Sequence, residues 1–265
     1  RNGARMSNLS NVVDLKSCPI GTQVFVKSSK DTFESEGVLM LERFLTEQAV
    51  KDLVTEAEDR KELAHYTSGT HSVYLTPHQT HLAESHIQNR QVSSSKGCIT
   101  TDQIPTISGL RTIYDSDIFR KFVCSVVGVS ELYEYADPLS SINVHYANEG
   151  QELNWHFDNS EFAITLLLQS PEGGGSFDYV KDLRSAEAGD MNYDEVEAYV
   201  DGARDPISLS VDPGTLMLFR GRNSMHRVTP TIGDRTRILV VLAYNSEPGI
   251  SLSEQARMTF YGRLG

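Results

Sequence analysis

Residues 145–158 read HYANEGQELNWHFD, and the run Asn154-Trp155-His156-Phe157-Asp158 near its end decides how the rest of the chain is read. In an extended strand, residues two apart project to one side. His156 and Asp158 therefore reach toward one point while Trp155 turns away to pack. A third ligand-type side chain, His226, follows the run Asp212-Pro213-Gly214-Thr215-Leu216-Met217-Leu218-Phe219. Two imidazoles and a carboxylate on one face, with the opposite positions left to other ligands, form the donor set of non-heme Fe(II) sites. An H-x-D with a distant histidine arises readily by chance, so its weight depends on its surroundings.

Those surroundings change texture at about residue 138, where short apolar runs separated by Gly, Pro, Asn and Asp begin. Strands are expected at residues 141–147, 152–157, 163–169, 175–180, 207–211, 215–220, 225–229 and 237–244. That many short strands point to a sandwich or barrel. The acidic stretch 181–206 interrupts the series, with a short helix expected at 193–200, and reads as an insertion over one end of the barrel. In the N-terminal third, residues 22–26 and 37–41 read as short strands. Thr46 can cap a helix with Val50, Leu53, Val54 and Ala57 on one side. Asp115 or Ser116 caps another, with Ile118, Phe119, Phe122, Val123 and Val126 on one face and Gly128 as its stop. Nothing resembles a linker, so one domain is expected over 1–265: a support and substrate-pocket segment (1–137), a catalytic core (138–250) and a tail (251–265). The fold class is mainly β with flanking helices, a double-stranded β-helix (jelly-roll, cupin-like) braced by N-terminal α-helices.

The 265 residues include 39% hydrophobic and 23% charged residues, enough for a sizeable core. A formal net charge of -12 argues against a nucleic-acid partner, because contacts to phosphate call for a basic face. No apolar run approaches the roughly 20 residues that cross a bilayer, so no membrane partner is expected. No basic segment followed by an apolar stretch opens the chain, and Arg1 to Arg5 read as an expression remnant or the stump of a removed transit peptide. Cys18, Cys98 and Cys124 are odd in number without CxxC spacing, which suits buried, reduced thiols. The expected location is cytoplasmic, or an organelle after transit-peptide removal, and the expected partner is a small molecule.

Several segments in order carry a family resemblance. Tyr146, Gly150, Leu153, His156 and Asp158 come first, then Ile164-Thr165-Leu166-Leu167-Leu168-Gln169 and the turn Gly173-Gly174-Gly175-Ser176-Phe177. The run Pro213–Phe219 leads into His226-Arg227-Val228-Thr229-Pro230, and Gly233-Asp234-Arg235-Thr236-Arg237-Ile238 follows. Across residues 138–250 this order resembles the Fe(II)/2-oxoglutarate-dependent dioxygenases with a prolyl-hydroxylase-like core. The branch it looks nearest to contains hydroxylases and halogenases of free amino acids. The resemblance implies Fe(II) held by His156, Asp158 and His226, with 2-oxoglutarate and O2 as co-substrates. It also implies an arginine for the buried distal carboxylate of 2-oxoglutarate, which a guanidinium grips with two parallel hydrogen bonds. Arg235 and Arg237, nine and eleven residues after His226, both qualify: the first fits a Gly-x-Arg pattern, the second adjoins the apolar strand. Tyr146, Thr165 and Gln169 are candidates for further hydrogen bonds to the same molecule. Related halogenases carry Gly or Ala at the carboxylate position, so Asp158 implies that halide binding is blocked and oxygen chemistry kept.

The implied reaction is hydroxylation of an unactivated C–H in a small, amino-acid-derived metabolite, with release of succinate and CO2. Two alternatives stand beside it. One is an oxidative cyclase or desaturase of a natural-product pathway, such as kainoid-type ring closure of an N-prenylated amino acid. The other is a non-catalytic jelly-roll binding module.

His65, His71, His78, His81 and His86 crowd a polar stretch whose spacing matches no structural zinc site, so a mobile, solvated loop is expected there. In this fold the segment before the core often lines the substrate pocket. His71, Tyr74, Arg90 and Asp102 are therefore candidate substrate contacts, joined by Asn159 after the ligand loop. His145 alternates against Tyr146 and is expected to face outward from the pocket.

Overall fold

The apolar runs of the second half pair into antiparallel sheets, seen in a computed structural model that describes residues 8–265. With strands numbered in chain order, the large sheet runs β1 (Val38–Leu41), β10 (Leu216–Phe219), β6 (Ala163–Gln169), β13 (Arg237–Leu242), β4 (Ile142–Ala147), β3 (Gln91–Ile99) and β2 (His65–Ser72). A smaller sheet runs β5 (Leu153–His156), β11 (Met225–Val228), β8 (Phe177–Val180) and β9 (Ile207–Leu209). β7 (Gly173–Gly174) and β12 (Thr231–Ile232) form a ribbon of their own. The two larger sheets are the walls of a jelly-roll. Helices α1 (Gln23–Glu36), α2 (Glu47–Arg60), α3 (Gly109–Tyr114) and α4 (Asp117–Val127) precede the core strands, α5 (Tyr193–Val200) lies between β8 and β9, and α6 (Glu254–Tyr261) ends the chain.

Period-two alternation sets what each face of the large sheet does. Ile142, Val144 and Tyr146 of β4, Ile164, Leu166 and Leu168 of β6, and Ile238, Val240 and Leu242 of β13 share one core cluster with Phe33, Leu53, Phe119 and Phe122 of the helices. This is the outer face. Asn143, His145, Ala147, Leu239 and Val241 fall on the opposite, inner face, toward the small sheet and α6. The helices are placed by ordinary end signals. Thr46 Oγ1 accepts from the Ala49 N–H at 3.0 Å, and Ser116 Oγ accepts from Phe119 N–H at 3.2 Å.

Residues 22–26 are not a strand: Gln23 opens α1. Five β-prone residues are outweighed by the ten that follow, because Phe25, Ser29 and Phe33, four apart, line one side and pack on α4. Residues 65–95 are also not one solvated loop. β2 and β3 pair from His65–Cys98 to Ser72–Gln91 and extend the large sheet. The turn between them is organised by buried Asn89, whose side chain accepts from Gln79 N–H (2.7 Å) and donates to Gln79 O (2.9 Å) and Ala83 O (3.1 Å). Residues 181–206 pack Leu183 and Val196 into a cluster with Val73, Tyr74, Trp155, Phe157 and Met225, behind the strand that carries His156.

Candidate active site

β5 and β11 are neighbours, and their register sets His156 directly opposite His226. Trp155 and Phe157 turn into the cluster under residues 181–206, so the imidazole between them points the other way. Asp158 lies just past the end of β5, where its N–H donates to Gly221 O at 2.9 Å. One carboxylate oxygen, Asp158 Oδ1, stands 3.2 Å from His156 Nε2 and 3.2 Å from His226 Nε2. The three donor atoms lie within 4.8 Å of one another, and both histidines are buried.

The two imidazoles are held alike. His156 Nδ1 is 2.9 Å from Asn154 O, and His226 Nδ1 is 2.8 Å from Ser224 O, in each case the carbonyl two residues earlier. A carbonyl only accepts, so both Nδ1 atoms carry hydrogen. Burial, followed by the neighbouring His226, pulls the His156 imidazole below its ordinary value and leaves it neutral near pH 7. Burial pushes the Asp158 carboxyl up, but the imidazoles facing it outweigh burial and hold it well below the usual carboxylate range. Two Nε2 atoms and an ionised carboxylate converging on one point make a donor set that a cation satisfies. Imidazole and carboxylate donors in this number suit Fe(II).

Two glycines make room. A Cβ at Gly221 would fall 2.1 Å from Asp158 Oδ2 and 2.6 Å from His226 Cε1. Gly175 has φ +65°, and a Cβ there would meet Arg237 Cδ at 3.0 Å. Aromatic rings wall the site: Phe219 lies edge-on to His226 at 4.7 Å and Phe177 is tilted against it at 5.9 Å, backed by Tyr179 and Met217.

The two arginines separate. Arg235 precedes β13, is exposed, and its guanidinium donates to Ser170 O (2.7 Å) and Pro171 O (3.1 Å). Arg237 opens β13 on the inner face, in line with Leu239 and Val241. No hydrogen bond or ion pair engages it among the described residues. Burial alone pushes its guanidinium down to about 10, so it remains a cation without a counter-charge. Thr165, paired with Met217 and Val241, is on the same inner face.

Tyr146 and Gln169 face away from this space. The Tyr146 hydroxyl donates to Ala57 O of α2 at 2.6 Å, inside the outer core. Gln169 Nε2 donates to Thr236 O (2.9 Å) and to Glu58 Oε1 of α2 (3.4 Å), because a register shift in β6 turns the strand end outward. With Tyr146 outside, His145 is inside, the reverse of the expected alternation.

Of the candidate substrate contacts, His71 alone meets the triad, its ring edge-on to His156 at 6.3 Å. Both its nitrogens are engaged: Nε2 with Ser94 Oγ at 2.7 Å, Nδ1 with Ser72 O at 3.0 Å. Ser94 Oγ also accepts from Asn154 N–H at 2.9 Å. Its proton therefore goes to His71, and a chain of hydrogen bonds runs from His71 to the residue whose carbonyl orients His156. Tyr74 is buried, donates to Met191 O at 2.7 Å and packs its ring, tilted by 32°, against Phe157. Asp102 takes two hydrogen bonds of 2.8 Å from Arg263, tying down the C-terminus instead of lining a pocket. Arg90 pairs with Asp201 and lines, with His71, Leu75 and Glu84, a cavity of about 920 Å³ beside α6. Asn159 is exposed beyond Asp158. Sequence reading passed over Ser94, hidden in a run of three serines, and Gly221, whose only signal is a glycine just ahead of a ligand histidine.

The sequence profile of the halogenase D family (HalD) matches residues 22–259. No curated protein sequence matches the chain. Among solved structures, the carbocyclase SnoK of nogalamycin biosynthesis, described as non-heme and alpha-ketoglutarate dependent, superposes with a TM-score of 0.57 at 14% identity, over 87% of this chain and 90% of its own. An oxidoreductase of the 2OG-Fe(II) oxygenase family from Burkholderia pseudomallei gives 0.53 at 12% identity, over 85% and 93%. A prolyl-4-hydroxylase from Pseudomonas putida gives 0.51 at 13%, over 83% and 98%. The chain thus belongs to the halogenase D family and has the jelly-roll fold of the Fe(II)- and 2-oxoglutarate-dependent oxygenases.

Proposed function

We propose that the protein is an Fe(II)- and 2-oxoglutarate-dependent oxygenase that hydroxylates an unactivated C–H of a small, amino-acid-derived molecule. The observation that carries this reading is the pairing of a His-Asp-His donor set, its histidines buried, with Arg237, a half-buried cation on the facing sheet that has no counter-ion among the described residues. Iron held by His156, Asp158 and His226 would supply oxygen activation driven by oxidative decarboxylation of 2-oxoglutarate to succinate and CO2. The chain's own residues do the rest. The Nδ1 hydrogen bonds hold both Nε2 lone pairs toward the metal. Arg237 grips the distal carboxylate and fixes the co-substrate's orientation. Phe177, Phe219 and Met217 keep water from that side. Asp158 favours oxygen over halogen transfer, since it supplies a third protein donor where related halogenases have none.

The test is anaerobic addition of Fe(II) and then 2-oxoglutarate, following the visible charge-transfer band of the chelate. The band is expected in the unaltered protein and in Arg235→Met. Arg237→Met should need about tenfold or more additional 2-oxoglutarate. Succinate release across a panel of amino acids then identifies the substrate. Metal binding without the band would overturn the reading.

A further inference from the structure

The inner face of the large sheet carries a second basic group that the chemistry above does not use. Gly97 of β3 pairs with Tyr146 of β4, so Lys96 stands one residue on, toward Ala147. Arg237 of β13 pairs with that same Ala147 from the other side. The two cations flank β4. His145, also on the inner face, lies 3.5 Å from the Lys96 ammonium through Nε2. Burial, then the charges of Lys96 and Arg237, hold His145 well below its ordinary value. It is a neutral acceptor for one ammonium hydrogen, and no other hydrogen-bond partner of that ammonium is found among the described residues.

Among the described residues no carboxylate pairs with Lys96. Its other neighbour is the Phe260 ring of α6, 5.7 Å away. Lys96 and His145 open on a cavity of about 180 Å³ shared with Tyr135, Asn143, Val241 and Phe260. The cavity is roofed by α6, and the Tyr261 hydroxyl donates to Asn143 Oδ1 at 2.9 Å and pins that roof to β4. Burying an ammonium without a counter-charge is costly, so the arrangement calls for an anion. One lysine and a neutral imidazole match a single carboxylate; phosphate calls for more donors. Lys96 is two residues along β3 from Ser94, which bonds the strand bearing His156. Anchor and metal centre therefore lie on neighbouring strands.

We propose that the Lys96–His145 cavity binds the carboxylate of the molecule to be oxidised, as a second carboxylate site distinct from the one Arg237 serves. The substrate class is then a free carboxylic acid, not its amide or a decarboxylated amine. The proposal rests on the reading of Arg237 as the co-substrate's partner.

The experiment is equilibrium dialysis of radiolabelled propionate against the full-length, anaerobic protein loaded with Fe(II) and 2-oxoglutarate. One equivalent should bind, propionamide should not displace it, and Lys96→Met should weaken it by about tenfold or more while Lys96→Arg keeps most of it. The charge-transfer band read on the same samples should give an unchanged 2-oxoglutarate affinity for Lys96→Met, in contrast to Arg237→Met. Retained propionate binding in a folded Lys96→Met protein, or no binding in the unaltered one, overturns the proposal. So does a loss of 2-oxoglutarate affinity in Lys96→Met, which would assign Lys96 to the co-substrate. Failure of the functional reading is distinct: the band would then be missing from the unaltered protein.

Discussion

The two faces of the large sheet are built from the same strands and do opposite work. On the outer face, Ile142, Val144, Tyr146, Ile164, Leu166, Leu168, Ile238, Val240 and Leu242 are all at most 1% exposed against the helices. On the inner face, alternate residues of the same strands include Asn143, His145, Arg237 and Thr165 beside Ala147, Leu239 and Val241, and the cations Arg237 and Lys96 there have no counter-ion among the described residues. Apolar burial, at about 25 cal/mol per Å², makes the outer face the source of stability. The inner face buries charge that a ligand can satisfy, so it is where stability is given up for binding. Substitutions should therefore sort by face.

The largest expected effect is on the donor set. His226→Ala should lower 2-oxoglutarate turnover by about a thousandfold or more while the thermal midpoint stays within a few degrees. Full activity in that variant would dissolve the contrast. Next comes the outer face, where Leu166→Ala should cost about 2–5 kcal/mol in denaturant unfolding yet leave the charge-transfer band per folded molecule intact. A third variant probes the hydrogen-bond chain behind His156. Ser94→Ala should weaken Fe(II) or Co(II) binding by about tenfold, and Ser94→Thr should restore most of it. Equal metal affinity in all three proteins would show that the chain does not position the ligand. Tyr146→Phe should cost only about 1 kcal/mol by losing the bond to Ala57 O, with 2-oxoglutarate affinity unmoved.

The smallest effect concerns thiols, one on each face. Cys18 sits in the helix-side core and Cys98 on the inner face under α6; burial pushes both from 9.0 up to about 11. A raised thiol value means the native state holds the proton more tightly than the unfolded chain. These groups therefore lower stability as pH climbs from 9.0 toward about 11 and have no effect below that window. Alkylation of the native protein near pH 8 should be slow at both residues, and fast labelling of either would contradict its burial.

Much of this was readable from the chain, for reasons that the faces explain. Core strands such as residues 163–169 declare themselves through apolar runs and turn residues, and the H-x-D…H spacing needs only strand alternation to converge. β2 and β3 stayed hidden because HYTSGTHS and QVSSSKGCI carry few apolar side chains, and their pairing is with each other and with β4. Strand phase was misread at one point: an aromatic residue before the H-x-D suggested a pocket-facing Tyr146, but the helix-side core captures that ring and turns His145 inward. Telling the two arginines' positions apart needed tertiary structure, since only the start of β13 separates them. Reading β13 from Arg237 onward places that side chain in phase with Leu239 and Val241, and leaves Arg235 in the preceding bend.

Gly221 gives the centre a mutational footprint wider than its chemistry. The residue donates no atom to a metal, yet any side chain there collides with both Asp158 and His226. A Gly221→Ala protein would keep the full H-x-D…H signature in its sequence while its donor atoms could no longer converge. Screening by signature alone would count such a chain as competent, and a screen for inactive variants would rank position 221 with the ligands themselves.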